Sequence, residues 1–263
     1  MNTEGTTIII LITTLVVILL VVVIVVIFSI FQNRKMKFLL EKRADEVRFE
    51  EEIIKSQLET QEQTLQNISW ELHDNVGQLL SVAKMQVNML HPHVTNGQKG
   101  ILDETGDIIS KSLQEIRTLS KLLNPDTVRN MGLQEAIELE LHRFNRMNFL
   151  EASFQVLGGP KIIDEKDEII LFRILQEFLS NSIKHAKAKS LKVTLDYKSD
   201  SLIITAKDSG IGFEEATIEK GSGLINMQSR AKLIGAEFSL KSKKNKGVTL
   251  QLIYTYKKHH EKV

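Results

Sequence analysis

Cysteine is absent from this 263-residue chain, which excludes disulfides, cysteine–zinc sites and thiol catalysis and suits a reducing compartment. Neither sign of charge is in excess: 34 Lys and Arg stand against 33 Asp and Glu, so nothing points to nucleic acid as a partner. Proline occurs only three times, and from Gln32 to Val76 there is neither proline nor glycine. No breaker interrupts a helix there. Internal repeats and low-complexity tracts are also missing. The length allows one or two compact domains plus appendages.

What the chain has in excess is apolar length at its start. From Ile8 to Phe31 every residue is Ile, Leu, Val or Phe except Thr13, Thr14 and Ser29. As a helix this run is about 36 Å long, enough for a hydrocarbon core of about 30 Å. The β-branched excess disfavours a helix in water, but in lipid the backbone has no other partner. A cleaved signal peptide would need a basic start and a small-residue cleavage site. Here the only charge ahead of the run is Glu4, and the run ends in Ser29-Ile30-Phe31-Gln32-Asn33. Arg34, Lys35, Lys37, Lys42 and Arg43 follow, so the positive-inside rule puts the remainder in the cytoplasm. The expectation is a single-pass anchor in the cytoplasmic membrane over 8–31, with residues 1–7 outside and too few of them to form a sensing module.

Beyond the membrane a heptad row emerges. Leu58, Leu65, Leu72 and Leu79 recur every seventh residue, with Ile54, Gln61, Ile68, Asn75 and Val82 as the companion row. The pattern predicts a parallel coiled coil or a helical-bundle core, with Gln61 and Asn75 as polar seam positions that set register. A signalling helix is assigned to 32–66. A second helix, Ile101 to Leu123, follows a turn at His91-Pro92-His93-Val94-Thr95-Asn96-Gly97 and ends at Asn124-Pro125. Two such hairpins from two chains would make a four-helix bundle over 67–124. His91 and His93 lack a third ligand nearby and are expected to be plain surface residues.

Inside this helical stretch lies His73-Asp74-Asn75-Val76-Gly77-Gln78. His73 follows Leu72, which turns it about 100° away from the seam, onto an accessible flank. Asp74 can accept a ring N–H and leave the other nitrogen nucleophilic, although adjacent helical residues do not face each other. Gly77 costs about 1 kcal/mol relative to alanine in a helix, and either an open approach to His73 or close helix packing explains it.

The region 130–257 mixes helices and strands and reads as an α+β layered domain with its own core. Helices are expected at Leu133–Phe144, Asp167–Ala186 and Leu224–Ile234. Strands are expected at Ala152–Leu157, Leu191–Tyr197, Leu202–Lys207, Glu237–Ser242 and Val248–Thr255. Glu177, Asn181, Lys184 and His185 gather on one helical face, an oxygen-bearing pair beside a lysine that suits Mg²⁺ carried by phosphates. Asp208-Ser209-Gly210-Ile211-Gly212-Phe213 follows a strand; its carboxylate can accept from an exocyclic amine, and its glycines let backbone approach a base. Gly221-Ser222-Gly223-Leu224 feeds a helix start whose free N–H groups favour phosphate. Gly247-Val248-Thr249 returns to the pocket edge. Lys241, Lys243, Lys244 and Lys246 read as a solvated hairpin.

From Asn67 to Thr255 the chain resembles a two-component sensor histidine kinase of the subfamily whose dimerisation helix carries His-Asp-x-x-x-Gln. Its downstream domain resembles the Bergerat-fold (GHKL) ATPase shared with DNA gyrase and MutL. The resemblance implies that ATP phosphorylates His73, that Asp74 is the activating base, and that Gln78 positions a water for dephosphorylating the partner. It also implies that Asn181 holds Mg²⁺, with Glu177, Lys184 and His185 around the phosphates. By the same resemblance Asp208 would bind the adenine amine, and Gly210, Gly212, Gly221, Gly223 and Leu224 would shape the base pocket and lid. The family often has Gly-Thr at its last strand; here Val248 intervenes before Thr249. A homodimer is implied, with a separate response regulator as the phosphate's destination, since no receiver domain follows the last strand. A GHKL protein-serine kinase or ATP-dependent switch would not need His73, Asp74 or Gln78. A membrane-anchored coiled-coil scaffold with an inactive ATP site would not need Asn181 and Asp208.

Overall fold

In the computed structural model, residues 3–148, 150–214 and 222–257 are described; the side chains of 3–17, 50, 51, 96 and 222 lie outside that description, and with them part of the expected anchor. The chain divides into two compact units, Met1–Ser56 and Gln57–Val263.

The first unit is helix throughout its described length, part of α1 (Thr3–Glu71). It belongs to the one described helix long and apolar enough to cross a membrane, judged by length and composition, with a mean hydropathy of 2.0. The described side chains from Ile18 to Ile27 all face solvent.

The second unit begins with the end of α1, a single π-turn at Leu72–Val76, and α2 (Gly77–Leu90). A short 3₁₀ turn at His91–His93 leads to α3 (Asn96–Leu123), which packs against α2. His91 Nε2 lies 3.0 Å from Asp103 Oδ1 across the hairpin. The buried Ser69 and Ser120 exchange hydroxyl-to-carbonyl bonds of 2.9 Å, tying α1 to α3. Heptad spacing predicts an unbroken helix here, and the π-turn is a departure from it. The Gly77 N–H reaches back five residues to Leu72 O. Gly77 itself is buried, and a Cβ there would lie 3.4 Å from that carbonyl. That distance is ordinary van der Waals contact, so the packing at the π-turn does not itself demand a glycine.

The seam is also divided. Leu58, Leu65 and Leu72 are half-buried, whereas Ile68, Leu79 and Val82 are exposed. Gln61, expected in the seam, accepts from Arg230 of the downstream domain at 2.8 Å.

Asn124 ends α3 in an extended conformation and caps α4 (Pro125–Arg146) by accepting from Asp126 N. Its side chain supplies the acceptor, and Pro125 has no N–H to leave unsatisfied. Gly132 kinks α4 at φ 79° and ψ 166°. Then come β1 (Glu151–Leu157), α5 (Glu165–Lys184), β2 (Ser190–Tyr197), β3 (Ser201–Asp208), α6 (Ser222–Leu233), β4 (Glu237–Ser242) and β5 (Val248–Thr255). The sheet runs in the order β1-β2-β3-β5-β4, with β1 parallel to β2 and the other pairs antiparallel. Strand alternation sets one face inward: Leu191, Val193 and Leu195; Leu202, Ile204 and Ala206; Val248, Leu250 and Leu252. Against it lie Leu171, Ile174, Leu175, Phe178 and Leu179 of α5. Asp164 caps α5 by accepting from Lys166 N at 3.0 Å, and three acidic residues occupy its first turn, where the helix dipole favours them. Tyr254 donates to the buried Asp167 at 2.7 Å and Lys257 pairs with the same carboxylate, which ties β5 to the start of α5. Burial and that bond to a carboxylate both push the Tyr254 phenol's pKa up.

Candidate active site

Two places carry the chemistry, and the first is the π-turn. His73 Nδ1 lies 2.9 Å from Asp74 Oδ1, and the two side chains are 66% and 72% exposed. Helical spacing alone does not assure this contact between neighbours; here it is made, within the π-turn. A carboxylate only accepts, so the contact puts the proton on Nδ1 and leaves the Nε2 lone pair free. Gln78 is exposed in the first turn of α2.

The second is a cavity of about 770 Å³ between α5, the β3–α6 loop, α6 and the ends of β4 and β5, within the range of small-molecule sites. Eight residues expected from sequence line it: Glu177, Asn181, Lys184, His185, Asp208, Gly212, Gly223 and Leu224. On α5 the spacing i, i+4, i+7 brings Glu177, Asn181 and Lys184 to one edge. Asn181 Nδ2 donates to Glu177 Oε1 at 3.3 Å, and the amide oxygen is the part of the side chain able to accept. The His185 N–H closes the helix on Asn181 O at 2.9 Å.

Asp208 is set by strand alternation. It continues the inward row Leu202, Ile204, Ala206 to the end of β3 and is 2% exposed. Such a carboxylate needs partners. Oδ1 accepts from Gly210 N at 2.7 Å and Val248 N at 3.3 Å, and Oδ2 accepts from Ser182 Oγ at 3.1 Å. Each carboxylate oxygen can accept twice, so Oδ2 keeps room for a further donor from the cavity.

The glycines divide by role. A Cβ on Gly212, at φ 55°, would lie 2.3 Å from Lys243 O, and one on Gly223 would lie 2.2 Å from Glu177 Oε1. Gly210 does not line the cavity; a Cβ there would lie 2.4 Å from Ala186, and Ile211 N donates to Ala186 O at 2.8 Å. It lets the loop close onto the end of α5. Gly247, at φ 77°, backs directly onto Asp208, whose carbonyl would be 2.0 Å from a Cβ.

Besides Gly210, one further expected residue does not line the cavity. Thr249 is absent from the lining, because alternation along β5 turns Val248 to the cavity and Thr249 to the opposite face. Gly221 lies outside the described residues. Lys241, Lys243, Lys244 and Lys246 are exposed on the β4–β5 hairpin, as expected. Sequence reasoning missed Ser182, Met227 and Leu240 in the lining; Phe213 and Val248 stood in the quoted motifs without a role of their own. Ser182 stands next to Asn181, yet nothing in the linear pattern pairs it with a carboxylate on β3.

Among described residues, no group of three or more His, Cys, Asp or Glu forms a metal cage. The oxygens of Asn181 and Glu177 fit instead a hard cation that keeps waters and phosphate oxygens, as Mg²⁺ does.

The chain matches two families: Histidine kinase over residues 65–128, and Histidine kinase-, DNA gyrase B-, and HSP90-like ATPase over residues 166–258. The oxygen sensor histidine kinase NreB of Staphylococcus carnosus is 25% identical over 214 residues, covering 79% of this chain and 61% of its own length. The signal transduction histidine-protein kinase/phosphatase DegS of Brevibacillus brevis is 26% identical, covering 73% of this chain and 51% of its own. The chain thus spans between half and two thirds of the length of these curated relatives. Among solved structures, the histidine kinase domain of the Erythrobacter litoralis EL346 blue-light activated histidine kinase covers 68% of this chain and 94% of its own, at 14% identity and a TM-score of 0.45. With the histidine-bearing helical segment and the ATPase segment in this order on one chain, it is similar to sensor histidine kinases that carry both segments.

Proposed function

We propose that the chain is an ATP-dependent protein-histidine kinase that phosphorylates His73 and passes the phosphate to an aspartate of a separate response regulator. The observation that carries this is the His73–Asp74 contact at 2.9 Å on an exposed turn, on the same chain as a cavity with the donors a nucleotide needs. Asp208 Oδ2 accepts the adenine amine, and Leu224, Met227 and Phe213 supply apolar contact to the base. Lys184 and His185 stand at the triphosphate edge, with Asn181 Oδ1 and Glu177 as the oxygens for Mg²⁺. The cation supplies neutralisation of phosphate charge when bound.

With Nδ1–H held by Asp74, the Nε2 lone pair attacks the γ-phosphorus. An N–P bond forms, the bond from γ-phosphorus to the bridging oxygen of the β-phosphate breaks, and ADP leaves. The ring becomes cationic, and Asp74 stabilises it and takes the Nδ1 proton as base. Gln78, whose amide both donates and accepts, orients a water against the phosphorylated regulator, which gives the same chain a phosphatase activity.

The helical segment 67–124 forms a four-helix bundle in a homodimer, continuous with a coiled coil over 32–66. Ile68, Leu79, Val82, Met85, Met89 and Ile108 are each at least 43% exposed in the single chain, an apolar face that a second copy would cover. The run at 8–31 anchors the protein in the cytoplasmic membrane, with 130–257 as the catalytic domain on the cytoplasmic side.

Incubation of wild-type and His73→Gln protein with labelled ATP tests the assignment. The expected outcome is acid-labile, alkali-stable label on the wild type, none on the variant, and equal ATP binding by both. Full labelling of the variant would overturn it.

A further inference from the structure

The sheet has a second face, turned away from α5, and charge is spread unevenly over it. Lys192 of β2 stands directly opposite Lys207 of β3, Lys207 opposite Thr249 of β5, and Thr249 opposite Lys241 of β4. All three lysines are exposed. At a strand spacing of about 4.8 Å the row is about 14 Å long. Like charges directly opposite one another on neighbouring strands are destabilising. Lysines that guard a sheet against edge pairing sit on edge strands, whereas β2 and β3 are interior strands. Five more exposed lysines crowd the same end: Lys187 and Lys189 ahead of β2, and Lys243, Lys244 and Lys246 between β4 and β5. Among the described residues none of these eight is in an ion pair; the lysine pairs of this domain are Lys198–Asp196 and Lys257–Asp167. The next row along the face, Thr194, Thr205, Gln251 and Ser239, is uncharged, and Asp196 and Glu237 come only in the row beyond. Glu151, on the edge strand β1, is the carboxylate that this face places at the lysine end.

Behind the row lies the cavity. Lys207 precedes Asp208, Lys241 follows Leu240 and Thr249 follows Val248, and those three neighbours all line the cavity. Successive strand residues point to opposite faces, so the lysines stand on the outer side of a wall one strand thick. The hairpin lysines are held against the same cavity, because Asn245 N donates to Ile211 O and Phe213 N donates to Ser242 Oγ at 2.7 Å. Protein screens a charge less than water does. Charge of one sign around a cleft with low-dielectric walls raises the local concentration of counter-ions and speeds their entry.

We propose that Lys192, Lys207 and Lys241 form an electrostatic back wall that draws polyphosphate nucleotides into the cavity in proportion to their charge, without touching them. The proposal rests on the nucleotide reading of the cavity above, and it adds a basis for preferring a triphosphate to a diphosphate or a nucleoside.

The test uses the full chain in nanodiscs of zwitterionic lipid. Wild type is compared with a triple variant carrying Lys192→Gln, Lys207→Gln and Lys241→Gln, and with one carrying arginine at the same three positions. Association rates are measured for a non-hydrolysable ATP analogue, ADP and adenosine at about 0.01 M and about 1 M salt, where screening lengths are about 30 Å and about 3 Å. At low salt the glutamine variant should take up the ATP analogue about threefold or more slowly than wild type. ADP should slow by a smaller factor and adenosine not at all. At high salt the three proteins should coincide, and the arginine variant, which keeps the charge, should match wild type throughout. An unchanged rate for the ATP analogue at low salt overturns the proposal. An equal loss for adenosine overturns it too, as does a loss that persists at high salt, since either would be damage to the wall and not a field. Wild type that binds none of the three removes the nucleotide reading and this proposal with it. Wild type that follows the charge ladder but never labels His73 removes the kinase assignment alone.

Discussion

Asp208 and Gly247 depend on each other. The carboxylate can be buried at the cavity floor because two backbone N–H groups and Ser182 satisfy it, and one of those N–H groups belongs to Val248, the residue after Gly247. Gly247→Ala would force a methyl into contact with Asp208 O, 2.0 Å from the ideal Cβ position, at a backbone φ of 77°. Strain of this kind costs about 1–3 kcal/mol. The chain should relieve it by displacing the Val248 N–H and Asp208 together. The expected outcome is at least about tenfold weaker binding of an ATP analogue, or about 1.4 kcal/mol, with the domain still folded by circular dichroism. Titration calorimetry on the two proteins checks it, and unchanged affinity would disconnect the hairpin from the site.

The α4–α5 pairing shows what one poorly placed charge does to two helices. Gly132 breaks α4 in a backbone region that is essentially glycine's alone, and the freed Leu133 N–H is taken by the Glu168 side chain of α5. Burial raises the Glu168 pKa, only partly offset by that hydrogen bond, and Glu165 raises it further. A carboxyl whose pKa is raised by folding stabilises the fold when protonated, and that contribution is lost as pH climbs through the folded-state pKa. Glu168→Gln keeps an oxygen for Leu133 N–H and removes the charge. The variant should be more stable than wild type near pH 7, and the advantage should shrink as pH falls below the folded-state pKa. Urea melts across that range check this, and a pH-independent difference would contradict it.

At the scale of the whole chain the exposed face of α2 and α3 matters most. Leu79 and Met85 are 65% and 61% exposed, with Ile101 at 68%, large apolar side chains that a partner helix could cover. The proposed bundle predicts that Leu79→Glu combined with Val82→Glu yields monomers in sedimentation without loss of ATP-analogue binding, because neither residue approaches the cavity. Dimers that survive both charges would place the interface elsewhere.

Periodicity and local chemistry determined much of this protein from sequence alone. The two hairpin helices, the order of helices and strands after Pro125, and the α5 edge of the cavity follow from spacings of seven, of four and of two, since burial of one face is what selects those spacings. The other expected cavity residues came from Asp- and Gly-bearing turns and the resemblance they carry. The pairing of His73 with Asp74 was also legible as a possibility. Tertiary contact decided the rest. The π-turn at Leu72–Val76, which lies against α3, is a feature that an ideal heptad does not encode. Thr249 left the cavity because the pairing of β5 with β3 set which parity faces inward. Ser182 met Asp208, and Gln61 met Arg230, across separations of 26 and 169 residues. Contacts at such distances leave no periodic trace, because each partner satisfies only its own helix or strand until the fold brings the two together.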